Sequence, residues 1–250
     1  MKRLYILILI VVLCVPSITK SQIAEDYFSI FAALSLPTGN FGKDVGDGYR
    51  LTRRAGFDIG DDASFANMGF GGGIEITLLT GIRGFGWVTN VMYIMNPSED
   101  SKVTEKFKNI YKDTVDVAFD YGYWINIPVM TGFKYQLFLS PRLDLYSLAQ
   151  VGINISKAAT RKATVSGTLV DESKFDAAKA FGFAFGVGMM LNKRYDISLR
   201  YLNFGKPEYS GERYLSSNYF HDVLTRLEND DINGEQRPVS MILLGVGIHF

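Results

Sequence analysis

The residues best suited to chemistry in this chain are an acidic pair, a histidine–aspartate pair, a second histidine and charges recurring at one parity of alternating segments. Asp61-Asp62 and His221-Asp222 could activate a water or move a proton if a fold brought them together. His249 has no serine two residues away to serve as a nucleophile beside it. Cys14 is the only cysteine, so neither a disulfide nor a cysteine-rich metal site is expected. The chain shows no zinc-ligand spacing, no phosphate-binding glycine loop and no nucleophile elbow. No cofactor and no metal site are therefore expected. Lys+Arg and Asp+Glu balance at 26 each, so no bulk charge points to nucleic acid.

The elements that would position these residues are alternating segments of about ten residues, the length a tilted strand needs to cross hydrocarbon. From Pro238 one parity reads Ser240, Ile242, Leu244, Val246, Ile248 and Phe250. The other reads Val239, Met241, Leu243, Gly245, Gly247 and His249. Tyr27–Leu36, Met68–Leu78, Phe85–Met95, Tyr123–Gln136, Arg142–Ile153, Phe181–Leu191 and Tyr195–Phe204 repeat the scheme. Bulky apolar residues keep to one parity. Gly69, Gly71, Gly73, Gly182, Gly186 and Gly188 keep to the other.

That partition separates two kinds of barrel. A soluble barrel turns its bulky face inward, and its solvent face favours charged and threonine-rich strands rather than glycine. A membrane barrel turns the bulky face to lipid, and small residues fit its narrow interior. The glycine rows favour the second. Aromatic residues also gather near segment ends, Phe85, Trp87, Tyr135, Tyr195 and Phe250 at one rim and Tyr93, Tyr123 and Tyr201 at the other. Such girdles mark the two faces of a membrane.

Connections alternate in length. Short links are expected near Thr80–Gly84, Leu137–Pro141 and Asn192–Arg194, and long polar ones near Gly42–Asn67, Asn96–Gly122, Ser156–Lys179 and Gly205–Gln236. Thr164–Val170 alternates well enough to extend strands above the membrane, which would raise the apparent strand count towards ten. The N-terminus reads as a secretory leader over residues 1–21. Lys2 and Arg3 precede the apolar Leu4–Val15, and cleavage is expected after Ser21. A lipoprotein reading would acylate Cys14, but Leu13 is too large for the residue before it. The expected fold is all-β: an eight-stranded antiparallel transmembrane up-and-down barrel over residues 22–250, with short periplasmic turns and long extracellular loops.

Three stretches carry a resemblance. The run Ala33-Leu-Ser-Leu-Pro-Thr-Gly-Asn-Phe-Gly42, the Ile127-Pro128 step in Trp124-Ile-Asn-Ile-Pro-Val129 and the terminal Phe250 resemble the outer-membrane β-barrel domain proteins common in Bacteroidota. These include PorT-like, secretion-associated proteins and small OmpA-like barrels. The resemblance implies a Gram-negative outer-membrane location and no single activity. It also implies that Phe250 with its alternating apolar approach is the signal read by the outer-membrane assembly machinery. Omptin-type proteases also place acidic and Asp/His pairs above a membrane, but the residues around Asp61-Asp62 and His221-Asp222 do not match their motifs.

The expected lumen charges are Glu75, Lys134, Asp144, Asp196, Arg200 and His249. Buried charges need partners, and the expected set is Glu75 and Asp144 against Lys134 and Arg200. Phe220, Val223, Leu224 and Leu227 form an i, i+3, i+4, i+7 stripe that could pack on its own hairpin or contact a partner, with Ser217 as its cap. The second long loop mixes signs at Glu99, Asp100, Lys102, Glu105, Lys106, Lys108, Lys112 and Asp113, as solvated loops do. The function expected is non-catalytic: a structural or surface-binding barrel, or an accessory part of a secretion or envelope-assembly machine. A small pore or hydrolase ranks below these. Expected partners are outer-membrane lipid and lipopolysaccharide, the assembly machinery, and a secretion-system or surface partner.

Overall fold

The computed structural model describes residues 26–42, 49–51, 57–59, 64–80, 82, 84–101, 104–105, 116–215 and 230–250. The leader, Asp61-Asp62, His221-Asp222, Ser217 and the Phe220–Leu227 stripe lie outside the described residues, as do Lys102, Lys106, Lys108, Lys112 and Asp113. In chain order the strands are β1 (Tyr27–Pro37), β2 (Tyr49–Leu51), β3 (Phe57–Ile59), β4 (Gly69–Leu79), β5 (Phe85–Pro97), β6 (Val117–Tyr121) and β7 (Tyr123–Ser140). There follow β8 (Leu143–Lys157), β9 (Arg161–Val165), β10 (Thr168–Phe175), β11 (Ala177–Leu191), β12 (Tyr195–Asn203), β13 (Glu208–Leu215), β14 (Asp230–Gln236) and β15 (Ser240–His249).

Eight of these close a barrel in the order β1-β15-β12-β11-β8-β7-β5-β4, and every neighbouring pair is antiparallel. Closure leaves no strand edge within the barrel, so its backbone polar groups pair with one another. All eight segments read from the sequence are barrel strands. β1 closes the ring on β15 through Ser29↔His249 to Pro37↔Met241.

The period-2 pattern decides which way each side chain points. Ile30, Leu34, Phe70, Phe181, Phe185, Leu199, Leu244 and Val246 stand on the exterior and are exposed. Met241, Leu243, Leu202, Met92 and Met130 on the opposite parity are buried in the interior. Each large apolar side chain moved out of water is worth about 1.5–3 kcal/mol. A continuous belt of them facing outward is stabilised by an apolar surrounding, not by water.

Glycines make the narrow interior fit. A side chain at Gly188 would run into the ring of Tyr146, and one at Gly186 would meet Leu148 and Arg200. Tyr146, Leu148 and Arg200 therefore occupy space that glycines on the neighbouring strand leave open.

Two connections differ from the sequence reading. The link expected over Leu137–Pro141 is only Pro141-Arg142, because β7 runs to Ser140 past a register shift between Phe138 and Ser140. The long loops do not enlarge the barrel. β6, β9, β10, β13 and β14 form a separate five-stranded sheet, in the order β14-β13-β10-β9-β6. Thr164–Val170 falls in its β9–β10 hairpin, where Ser166 and Gly167 take the positive φ values of 49° and 77° that a tight turn needs. The barrel count stays at eight because these strands bond to one another rather than to the closed ring.

Candidate functional site

Two places concentrate polar chemistry: the barrel lumen and the sheet above its outer rim. In the lumen Glu75 of β4 is held by two cations from distant strands. Lys134 Nζ of β7 lies 3.1 Å from one carboxylate oxygen, and an Arg200 guanidinium nitrogen of β12 lies 2.7 Å from the other. Glu75 and Lys134 are each 1% exposed. The cations have aromatic faces as second partners. Lys134 Nζ lies 4.0 Å from the centre of the Tyr146 ring and 5.0 Å from that of Tyr27, and Arg200 lies 4.8 Å from Phe31. Asn90 donates to Gln150 at 3.0 Å and lies 3.5 Å from Glu75, extending the cluster onto β5 and β8.

Asp144 does not join this set. Its carboxylate accepts from Gln136 Nε2 at 3.0 Å, and neither Lys134 nor Arg200 forms an ion pair with it among the described residues. Register explains the separation. Asp144 pairs with Phe138, whereas Lys134 pairs with Leu148, an offset of four residues or about 13 Å along the strand. Asp196 stands nearer His249, at 3.7 Å, with Tyr27 edge-on to the imidazole at 4.7 Å between ring centroids.

Further up, the lumen turns apolar and then closes. Met92, Ile94, Met130, Leu202, Met241 and Leu243 fill its middle, all buried. Above them Asn126 accepts from Asn154 and Ser156, each at 2.8 Å, and Ser156 Oγ lies 2.7 Å from Tyr209 OH. The mouth is stopped by rings. Phe41, from the 3-10 turn Gly39–Phe41 of the first loop, meets Trp124 edge-on at 5.5 Å, and Trp124 meets Tyr209 at 5.9 Å. Trp124 Nε1 donates to the Ser64 carbonyl at 3.0 Å, which ties a second stretch of the first loop over the mouth. Phe41 is 0% exposed and Trp124 1%. Trp124 has the inward parity of Asn126 and Pro128, so strand alternation could have found it. Phe41 and Tyr209 come from outside the barrel strands and carried no such signal.

The outer sheet is laced by ion pairs. Arg213 grips Asp171 through Nε at 3.1 Å and a terminal nitrogen at 2.7 Å, a two-pronged contact. Glu235 is shared by Arg161 at 3.2 Å and by Arg237, whose Nε donates at 2.6 Å. Burial by itself would raise the Glu235 carboxyl; Arg161 and Arg237 outweigh it and hold the group below its ordinary range. Its stabilising contribution is therefore present above the ordinary glutamate pKa, about 4.3, and is lost as pH falls through the lower folded value. Acidification from pH 7 to 3 is expected to lower the amide protection factors of β13 and β14, taken against the intrinsic exchange rate at each pH, while those of the barrel amides stay high. Equal protection of β14 at both pH values would show that the clamp carries no stability.

His249 and Phe250 end the described chain at the inner rim, where Phe250 is bonded through its backbone to Phe28. Its ring is 69% exposed, 6.4 Å from that of Phe28. No group of three or more potential metal ligands occurs among the described residues.

A closed eight-stranded antiparallel barrel with an apolar exterior, a filled lumen and a sheet above one rim is the class this geometry defines. The chain matches no protein-family model and no curated protein. Solved structures similar to it in fold include the following three. Neisserial surface protein A is 14% identical with a TM-score of 0.38, covering 90% of this chain and 95% of its own. The attachment invasion locus protein Ail of Yersinia pestis is 14% identical with a TM-score of 0.37, covering 90% and 97%. The outer membrane protein OprG of Pseudomonas aeruginosa is 11% identical with a TM-score of 0.44, covering 91% and 96%. At those identities and scores no activity, ligand or partner of theirs transfers to this chain.

Proposed function

We propose that this chain is a non-catalytic integral protein of a Gram-negative outer membrane, whose lumen does not conduct and whose outer sheet is its working surface. The observation that carries this is a lumen filled along its length. It runs from the Glu75–Lys134–Arg200 cluster through the Met92, Met130, Met241 and Leu243 layer to Phe41 and Trp124. Eight strands leave an interior just wide enough for side chains. The apolar belt outside supports lipid as the solvent of the exterior. The exposed ring of Phe250 at the inner rim supports its reading as an assembly signal.

Purified protein inserted into a planar lipid bilayer is expected to give no conductance steps above the baseline of protein-free membranes. Reproducible single-channel steps would replace the binding role with a pore. The accessory role in secretion or envelope assembly predicts co-purification of such components from intact outer membrane.

A further inference from the structure

We propose that the outer rim of β8 and β11 carries a site for a phosphorylated glycolipid of the outer leaflet, with Lys157 and Lys179 as its cations. The inference rests on the outer-membrane reading above. It starts from the register of the two strands on their outward faces. Leu143 pairs with Leu191 at the inner end, and Ile153 pairs with Phe181 ten residues further out on each strand. Ten residues at about 3.3 Å each, tilted by about 40°, rise about 25 Å, which is the height of the apolar band of such barrels. The next outward pair is Ile155 with Lys179, and the one after it is Lys157 with Ala177. Both lysines therefore begin where the apolar band ends, at the depth of the polar headgroups.

The pair is local and unspent. Both side chains are exposed, and neither forms an ion pair among the described residues. Lys157 and Lys179 are diagonal neighbours across the two strands, so their Cα atoms stand about 7–8 Å apart. Two flexible ammonium stems at that spacing can converge on one phosphate. The outward rows of the other barrel strands reach the same rim at Leu36, Met68, Met95, Tyr123, Asn203 and Ser240, none of them charged. Below the lysines lies a surface for acyl chains. Phe181 is 70% exposed, Phe185 57%, Val151 48% and Ile153 42%. Phe183 joins Phe185 and Tyr201 in ring contacts at 5.5 and 6.3 Å. A cation pair directly above an aromatic and aliphatic wall matches a lipid with phosphate on its headgroup and several chains beneath. A free phosphate would use only the upper half of this surface.

The test is native mass spectrometry of the full barrel in detergent micelles with added monophosphoryl lipid A, its dephosphorylated counterpart, or inorganic phosphate. The unaltered protein is expected to retain monophosphoryl lipid A and to bind the dephosphorylated form much less. The double variant Lys157→Gln/Lys179→Gln is expected to lose at least about tenfold in retention, since each basic residue near an anionic surface is worth about 1 kcal/mol. Lys193→Gln, at the opposite rim, is expected to retain lipid as the parent does. Equal retention by the double variant, or equal binding of the dephosphorylated lipid, would overturn the site. Displacement of the lipid by millimolar inorganic phosphate would make it a free-anion site and overturn the lipid assignment. Folding is followed by the heat-modifiable band in outer-membrane fractions. If that band persists while retention is unchanged, the lipid site fails and the outer-membrane reading stands. If the parent protein is absent from those fractions, the underlying reading fails instead.

Discussion

Glu75→Gln is expected to cost this barrel about 3–5 kcal/mol of stability, the usual penalty for removing one partner of a buried ion pair. The reason lies in what stays behind. Lys134 and Arg200 reach the same carboxylate from β7 and β12, so the trio carries one net positive charge and its variant carries two. Two cations held within about 8 Å repel by about 2 kcal/mol at an effective dielectric constant near 20. The rings of Tyr146, Tyr27 and Phe31 remain as cation–π partners. They offset part of that cost and none of the lost hydrogen bonding. Urea unfolding of the protein in lipid vesicles measures the difference. The triple variant Glu75→Leu/Lys134→Met/Arg200→Met is expected to recover much of the loss, because no member of the trio is left charged without its partner. A Glu75→Gln protein that unfolds at the parental urea concentration would mean water or another group already serves these cations.

Most of the barrel was legible because a closed membrane barrel repeats one rule eight times. Ile242, Leu244 and Val246 alternate with Leu243, Gly245 and Gly247, and period 2 alone assigns each to a face. The identity of the lumen charges followed from the same parity, and Glu75, Lys134 and Arg200 do meet. Who pairs with whom did not follow. Partnership across the lumen depends on the stagger between strands, which alternation leaves undetermined. Asp144 has the right parity and the wrong depth, and so it pairs with Gln136 instead. The sheet above the rim was legible only at Thr164–Val170, whose alternation pointed to extended barrel strands and not to a separate sheet. β13 and β14 lie in a segment whose polar composition reads as loop, and they are strands because they pair with one another. Cross-strand contacts such as Arg213 with Asp171 join residues 42 positions apart. Phe41 was missed because a phenylalanine in a glycine-rich connection has no period to betray its burial.

Leu244→Arg tests the orientation on which the membrane assignment depends, and it is expected to destabilise the barrel by about 2–4 kcal/mol in lipid vesicles. Leu244 sits mid-strand on β15, paired with Leu34 of β1 on one side and Leu199 of β12 on the other. All three are about half exposed on the exterior. A guanidinium placed there must enter hydrocarbon near the bilayer centre or drag water and headgroups towards it. Depth supplies the control. Met68 stands just outside β4 at the outer rim and is 57% exposed, and there an arginine costs only about 0–1 kcal/mol because its charge reaches the interface. The informative quantity is thus the difference between Leu244→Arg and Met68→Arg, read from urea midpoints in the same vesicles. A soluble barrel with this exterior in water would show no such gradient, since an arginine on a wet surface is harmless at either height. Equal and small costs at the two positions would therefore remove lipid from around the barrel.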